Sequence, residues 1–436
     1  MKILIRNARL IDPASQTDRQ ADLAIAAGRI VAIGDIPSDF HPNHSQDASG
    51  LWLLPGLVDL CARTREPGHE HEGMLQSELR AAVAGGVTSL VCPPDTDPVL
   101  DEPGLVEMLR FRAEKLHQAR LFPLGALTRG LKGAVLTEMN ELTQAGCVGF
   151  GQADQSLADT QVLQRALQYA ATFAYTVWLR PQDPHLGQGV AASGPLATRM
   201  GLSGVPVAAE TIALHTLLAL MRSTGARVHL CRISSAAGVE LVRQAKAEGL
   251  PLTCDVSINS LHLTDLDMGH FDSRARLNPV LRQQADRQAL RTALADGTID
   301  ALVSDHHPVQ GDEKALPFAE AEPGATGLEL LLSLALKWGA EDGLSPLQAV
   351  SAVTHRPAEI LRQSHARVPA GAGRLQVGAE ADLCLVQPDE VWQLDPAQLN
   401  SQGRHTPFAF DCTGMSLPAR VSATMVAGAW VWPHRT

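Results

Sequence analysis

Residues 227–257 run RVHLCRISSAAGVELVRQAKAEGLPLTCDVS, a stretch in which one helical segment separates two strand-like segments. The apolar runs at 227–233 and 252–257 have the length of strands, and residues 236–248 between them have helical periodicity. A crossover of this length joins neighbouring parallel strands. These residues therefore predict a βαβ unit.

The same alternation extends over most of the chain. Strand-like runs occur at 88–92 and 299–303, for example, and a helix-length amphipathic segment occupies 159–172. A long series of βαβ units is most economically accommodated in a closed parallel sheet. The sequence predicts an α/β protein whose residues 55–367 form a TIM-like (β/α)₈ barrel.

The two ends of the chain have a different pattern. Residues 1–54 and 368–436 contain short strand-like runs separated by turn glycines, including runs at 375–378 and 381–387. Neither end alone has enough strands for a stable sheet. We expect the two ends to combine into one small composite β-sandwich domain.

Composition excludes several classes of function. The net charge is −11 and no basic stripe occurs, which argues against nucleic-acid binding. No apolar run is long enough to span a membrane, and the N-terminus lacks a signal peptide, so a cytoplasmic location is expected. An odd number of cysteines without a Cys-x-x-Cys pair predicts reduced, buried thiols. The seven cysteines are Cys61, Cys92, Cys147, Cys231, Cys254, Cys384 and Cys412.

Functional side chains of such barrels lie at the carboxyl ends of the strands. Two of these ends are PGLVDLCARTREPG at 55–68 and DALVSDHHP at 300–308. Further landmarks are AGGVT at 84–88, NPVLR at 278–282, TGLE at 326–329 and ADL at 381–383. In this order they resemble the dihydroorotase family of the amidohydrolase superfamily along nearly the whole chain.

The resemblance also implies that the metal centre has been lost. The family holds its metal with two histidines after the first barrel strand, an acidic pair and two further histidines. Here the corresponding positions are Cys61, Arg63, Gln152, Ala153, Arg180 and Arg232. Arginine is a cation at any accessible pH and cannot replace a histidine ligand. Only the last-strand aspartate remains, as vestigial Asp305, so we expect no metal and no other cofactor.

The substrate-binding side of the family site is only partly present. Arg65 matches the arginine that holds the substrate carboxylate, and Asn278 matches a polar contact. Asp95 stands where the family has an asparagine and would repel a carboxylate. We expect Arg65 to pair with Asp95, and Asp305 to pair with one of the arginines at the former ligand positions.

Two pairs of histidines invite a functional interpretation. His69 and His71 restore a His-x-His spacing, but they follow the Pro-Gly turn at 67–68 and are expected to be surface loop residues. His306 and His307 are adjacent, and neighbouring side chains on a strand point to opposite faces. At most one of them is therefore expected to face the pocket, and neither is expected to be catalytic.

The leading functional hypothesis is a catalytically inactive dihydroorotase-like protein. Its losses resemble those of the non-catalytic chain of aspartate carbamoyltransferase, which implies a scaffold in a hetero-oligomer with the carbamoyltransferase catalytic chain, in pyrimidine biosynthesis. A homodimer is the alternative for the isolated chain. Two other hypotheses remain: an anion sensor using Arg63, Arg65, Arg180 and Arg232, and an enzyme using Cys61 or Asp305 without metal.

Overall fold

The structure of the protein, a computed structural model, describes residues 1–365, 367–409 and 415–432. The N-terminal segment contributes five strands. They are β1 (Lys2–Asp12), β2 (Thr17–Ala26), β3 (Arg29–Ile33), β4 (His44–Asp47) and β5 (Trp52–Pro55). Strand β1 pairs antiparallel with β2 and parallel with both β4 and β5.

The middle of the chain contains the barrel. Its strands are β6 (Leu57–Asp59), β7 (Val87–Cys92), β8 (Arg120–Pro123), β9 (Gly125–Ala126), β10 (Phe150–Gly151) and β11 (Thr176–Leu179). After a small side pair, β12 (Ala191–Ala192) and β13 (Gly204–Val205), come β14 (Arg227–Leu230), β15 (Leu252–Ser257) and β16 (Ala301–Val303). All the barrel pairings are parallel, in the orders β6-β7-β8 and β9-β10-β11-β14-β15-β16. A parallel bridge between Ala62 and His306 connects the first and last strands.

Helices surround these strands. They are α1 (Leu75–Ala84), α2 (Pro103–Lys115), α3 (Met139–Ala145), α4 (Thr160–Thr172), α5 (Pro195–Met200), α6 (Ala208–Thr224) and α7 (Ala236–Ala247), followed by α8 (Ile258–His262), α9 (Gln284–Asp296), α10 (Gly311–Lys314), α11 (Leu331–Glu341), α12 (Pro346–Ser351) and α13 (His355–Ser364). Short 3₁₀ turns occur at Arg129–Leu131, Asp265–Met268, Ser273–Ala275, Leu328–Leu330 and Pro396–Gln398.

The sequence accounts for these elements locally. Helix α4 begins after Asp159, whose carboxylate accepts hydrogen bonds from the Gln161 and Val162 amides at 2.8 and 3.2 Å. Its buried side chains recur at helical spacing and face the sheet. Strand β7 is buried at every position because both faces of a parallel sheet are covered.

The C-terminal strands β17 (Leu383–Gln393), β18 (Ser416–Val426) and β19 (Ala429–Trp432) join the N-terminal strands in one eight-stranded sheet. Its order is β19-β18-β17-β5-β1-β2-β3, with β4 beside β1. Side chains from both ends of the chain, such as Ile5 and Leu385, share one apolar core. The predicted barrel and composite sandwich are therefore confirmed, but residues 375–378 are not the predicted strand: residues 375–376 are irregular and 377–378 form a turn.

The chain passes from the sheet to the barrel between Pro55 and Leu57. Residues 394–409, here called the strap, belong to the predicted sandwich range 368–436 but pack on the barrel. In the strap, the Ser401 hydroxyl and the Gln402 amide donate to Glu78 of α1 at 2.6 and 3.0 Å. The boundaries 1–54, 55–367 and 368–436 stay a prediction.

The six cysteines within the described residues are free, and all are buried except the half-buried Cys231. Cys412 lies outside the described residues. Among the described helices, none is both long and apolar enough to cross a membrane.

Candidate functional site

Charged side chains meet at the carboxyl ends of the barrel strands. Arg63 follows β6, Asp154 follows β10, Arg180 follows β11, Arg232 follows β14 and Asp305 follows β16. These ends open on the same side of a parallel barrel, so residues far apart in sequence become neighbours. We call these five residues the arginine network.

Asp154 is the centre of the arginine network. Its Oδ2 accepts a hydrogen bond from Arg63 Nη2 at 2.8 Å, and its Oδ1 accepts one from Arg180 Nη1 at 3.4 Å. Arg232 Nη2 also donates to Oδ1. One carboxylate thus contacts three guanidinium groups, whose side chains are only 2 to 8% exposed.

Asp305 belongs to the same network through a single arginine. Arg232 Nη1 donates to Asp305 Oδ1 at 3.0 Å and to the Asn278 carbonyl at 3.1 Å. The Cys61 thiol lies 3.9 Å from the same carboxylate oxygen. The expected pairing of Asp305 with an arginine is therefore found with Arg232, while Arg63 and Arg180 turn to Asp154.

The pKa values follow from this arrangement. Burial alone would raise the pKa of the Asp154 carboxyl, but Arg232, Arg63 and Arg180 outweigh burial and hold it well below its usual range. Burial raises the pKa of Asp305, and Arg232 offsets only part of that effect. Burial also lowers the pKa of Arg180 to about 10, which leaves the group cationic at neutral pH.

The backbone at the strand ends is unusual. Arg65, Ala153, Arg232 and Asp305 have φ values of 62, 50, 56 and 50°, in the left-handed region. This conformation costs a non-glycine residue about 1 kcal/mol or more, and it persists where the surroundings impose it. The surrounding structure therefore imposes the left-handed backbone conformation at these four positions.

Sequence reasoning missed Asp154. The two positions matched to the family's acidic pair are Gln152, whose amide is bound to Thr128 and the Leu131 carbonyl, and Ala153, which has no polar side chain. The carboxylate comes one residue later. The available signal was charge: several inward-pointing arginines need buried carboxylates nearby.

The expected pairing of Arg65 with Asp95 is wrong. Asp95 accepts a hydrogen bond from Arg63 Nε at 2.8 Å, and Arg65 donates to Glu72 instead. Glu72 lies on the turn that follows the Pro-Gly sequence, and this turn folds back over Arg65. Arg65 is thus already paired with a carboxylate of its own chain.

His306 and His307 have different surroundings, as strand alternation predicts. His306 Nε2 lies 2.8 Å from Glu78, and its Nδ1 accepts from the Gly327 amide at 3.1 Å. We call Glu78, His306 and Ser401 the histidine network. His307 lies near the arginine network, where burial and then Arg63 and Arg65 hold its pKa well below the usual value.

The six positions matched to ligands do not fit a bound metal ion. Three of them carry guanidinium groups, and a divalent cation about 4 Å from one of these is repelled by roughly 8 kcal/mol at an effective dielectric of 20. Burial raises the pKa of the Cys61 thiol well above its usual value, which disfavours the thiolate that would bind metal.

Two groups of potential ligands occur elsewhere in the described part of the chain. They are His69–His71–Glu72 and His229–Cys231–Asp255, and neither contains Asp305. In the second group both imidazole nitrogens of His229 are already engaged, at 2.8 Å with Thr253 and at 2.9 Å with Asp255. We interpret this second group as part of the barrel interior.

A small cavity and a larger groove lie beside Arg180. A cavity of about 10 Å³ lies beside Arg180, Asn278 and Arg282, which is room for about one water molecule. A larger groove of about 180 Å³ lies on the outer side of Arg180, between α4 and α6. The arrangement holds opposite charges in place at the carboxyl ends of the strands.

Comparison with known proteins identifies the family. The dihydro-orotase-like family model matches residues 50–237, and the amidohydrolase family model matches residues 205–431. A dihydroorotase-like protein of Pseudomonas aeruginosa is 46% identical, over 98% of this chain and 99% of the relative. The chain belongs to the dihydroorotase family of the amidohydrolase superfamily.

Other relatives of this dihydroorotase-family chain are named either dihydroorotase-like protein or dihydroorotase. A dihydroorotase-like protein of Pseudomonas putida is 43% identical over 98% of both chains, and a dihydroorotase of Geobacter sp. (strain M21) is 37% identical over 99% of both. Among solved structures, the L-hydantoinase of Arthrobacter aurescens has a TM-score of 0.86 at 24% identity, covering 98% of this chain and 95% of its own. At that identity the match supports the fold alone.

Proposed function

We propose that this dihydroorotase-like chain is a catalytically inactive protein, without a metal centre or other cofactor, that serves as a scaffold subunit of an aspartate carbamoyltransferase complex in pyrimidine biosynthesis. The arginine network is the observation that supports the proposed inactivity. Guanidinium groups occupy positions matched to the family's ligands, and Asp154 and Asp305 are bonded to them. A metal-dependent hydrolase needs those positions for its ion.

Charge balance supports this proposal over an anion sensor. Arg63, Arg180 and Arg232 are matched by Asp95, Asp154 and Asp305. Arg65, the fourth arginine of that hypothesis, is paired with Glu72. A site built for an anion would keep an excess of positive charge, as anion sites at arginine clusters do.

The proposal is also favoured over a metal-independent enzyme. Such an enzyme would need an accessible Asp305 or Cys61, and the exposed fraction of these residues is 6 and 4%. A reactive cysteine would also need a lowered pKa, whereas burial raises that of Cys61. These observations speak against both groups as reagents.

The partner in this proposal rests on the resemblance to the non-catalytic chain of aspartate carbamoyltransferase. A fold that stays intact while its site is filled by ion pairs is suited to holding other chains in position. The free cysteines fit a reducing compartment, and the proposal places the complex in the cytoplasm.

The test is co-expression of this chain with the aspartate carbamoyltransferase catalytic chain of the same organism, followed by size-exclusion chromatography with light scattering. The proposal predicts one species heavier than either chain alone, and lower carbamoyltransferase activity or stability without this chain. Separate elution and an unaffected catalytic chain would contradict it. Asp305→Asn, shown to be folded by circular dichroism at the working temperature, should assemble as the wild type does, because a scaffold does not use that carboxylate for chemistry.

A further inference from the structure

A second cluster of ligand-type side chains lies on the turn after Pro67-Gly68. His69 Nδ1 is 3.9 Å from Glu72 Oε1, and His71 Nε2 is 3.6 Å from the same oxygen. All three ligand atoms lie within 4.8 Å of one another. Both distances exceed that of a hydrogen bond, so the three groups lie close together without being bonded to each other.

We propose that His69, His71 and Glu72 bind a divalent transition-metal ion of the Zn²⁺ type. Zinc bonded to imidazole nitrogen at about 2.0–2.1 Å places neighbouring ligand atoms of a tetrahedral site about 3.3 Å apart. The observed separations need only small side-chain rotations to reach this value. His69 and His71 are 33 and 51% exposed and are free to make them.

The backbone of the turn is already fixed. The His69 amide donates to the Arg65 carbonyl and the Glu72 amide donates to the His69 carbonyl, each at 3.0 Å. From the strap, Gln402 Nε2 donates to the carbonyls of Glu70 and His71 at 2.9 Å each. A ligand loop held in this way loses little conformational entropy when the ion binds.

Arg65 orients the carboxylate. Its guanidinium donates to Glu72 Oε2, and Oε1 is the oxygen that faces the two imidazoles. A partner that holds the second atom of a ligating group fixes the orientation of the first. Three protein ligands leave a fourth coordination position for water, as in zinc sites that are not closed by four side chains.

This site is separate from the barrel centre. None of its three ligands is one of the positions matched to the family's metal ligands, and Arg65 and Glu72 form their own ion pair. The prediction of plain surface histidines from sequence did not include Glu72. Only the fold of the turn brings its carboxylate beside both imidazoles.

The experiment is a Zn²⁺ titration of the untagged full-length protein in competition with a chromophoric chelator. We expect one ion per chain, and affinity lowered on the order of a hundredfold in His71→Ala, since one of three ligands is removed. In His69→Ala/His71→Ala binding should be lost. His44→Ala, at an exposed histidine on β4, is the matched control and should bind as the wild type does. Thermal unfolding by circular dichroism checks that all variants are folded.

The outcomes separate this site from the barrel centre. No stoichiometric binding by the folded wild type would overturn the proposed site and leave the inactive-scaffold proposal untouched. Binding that persists in the double variant but is lost in Asp305→Asn would overturn both, because the ion would then lie in the barrel. Cobalt gives an independent check: the absorption spectrum of the Co²⁺-loaded protein should lose its d–d bands in the double variant.

Discussion

The arginine network and the histidine network lie in the same barrel, yet they relate to the family pattern in opposite ways. His306 and Ser304 stand at landmarks of the family. His306 bonds to Glu78 of α1, which also accepts from Ser401 of the strap, and Ser304 donates to Asp59 of β6. Arg63, Arg180 and Arg232 stand at landmarks that have changed. The comparison shows that the chain has kept the family's residues that hold the backbone in place. At the positions matched to the family's metal ligands it has arginines, which are paired with carboxylates.

Two buried carboxyls of the barrel, Asp154 and Asp59, respond to pH in opposite directions. Asp154, in the arginine network, has a pKa well below its usual range because three arginines outweigh its burial. Asp59, the last residue of β6, accepts from the Ser304 hydroxyl and amide, and burial raises its pKa to about 6. Folding thus favours the ionised form of Asp154 and the protonated form of Asp59, each relative to the unfolded chain.

The largest expected effect is that of Asp154→Ala. Removing the shared carboxylate leaves three buried guanidinium groups with one partner fewer, and breaking a buried ion pair costs about 3–5 kcal/mol. The free energy of unfolding in urea measures the loss. Asp154→Asn keeps the size of the side chain but removes its charge, so its free energy of unfolding should fall by nearly as much. A loss below about 1 kcal/mol would show that the arginines do not depend on Asp154.

Glu78→Gln should have the next largest effect. Glu78 accepts from Ser401, Gln402 and His306, and its side chain is fully buried. Exchange of the charged acceptor for an amide should cost about 2–3 kcal/mol in the free energy of unfolding. Ser401→Ala removes one of these donors and should cost about 1 kcal/mol. If Glu78→Gln were neutral, the histidine network would not be what holds the strap.

Asp59→Asn tests the contrast in pH dependence. The folded state binds the Asp59 proton more tightly than the unfolded chain does, so ionisation of this group lowers stability as pH rises through its folded pKa. A change from 3.8 to about 6 is worth about 3 kcal/mol. The free energy of unfolding of Asp59→Asn minus that of wild type should therefore be higher at pH 7 than at pH 4 by about 2 kcal/mol, since part of the loss has already occurred at pH 4.

For Asp154 the sign is reversed. Its folded pKa lies below the unfolded one, so its contribution is complete above the unfolded value of about 4 and is lost as pH falls further. The free energy of unfolding of wild type minus that of Asp154→Asn should therefore shrink in acid. Parallel slopes for the Asp59 and Asp154 variants would remove the contrast between these two carboxyls.

Ala153→Gly should have the smallest effect, and it should stabilise. Ala153 has a φ of 50°, a conformation that glycine adopts without strain. Relief of strain outweighs the added entropy of the unfolded chain by about 0.5 kcal/mol. Ala295→Gly, at an exposed position of α9, should instead destabilise by about 1 kcal/mol. Destabilisation by both variants would mean that the left-handed backbone is not imposed at residue 153.

The barrel could be predicted from sequence because strand–helix alternation is a local pattern. The sheet shared by both ends of the chain could be predicted because neither end has enough strands to form a sheet alone. Positions 61, 63, 180 and 232 could be matched because each lies in a short stretch with a recognisable pattern. Asp154 could not, since in the loop after β10 the sequence does not determine which of three consecutive side chains points to the axis. The Arg65–Glu72 pair depends on the fold of a turn, which periodicity does not describe.

The most direct test of the central claim is hydrolysis of dihydroorotate by the purified protein with added Zn²⁺, measured beside Asp305→Asn. The arginine network predicts no turnover above that of the variant, at any Zn²⁺ concentration that leaves the protein folded. Turnover that depends on Zn²⁺ and disappears in Asp305→Asn would show a working metal centre in the barrel and contradict the account.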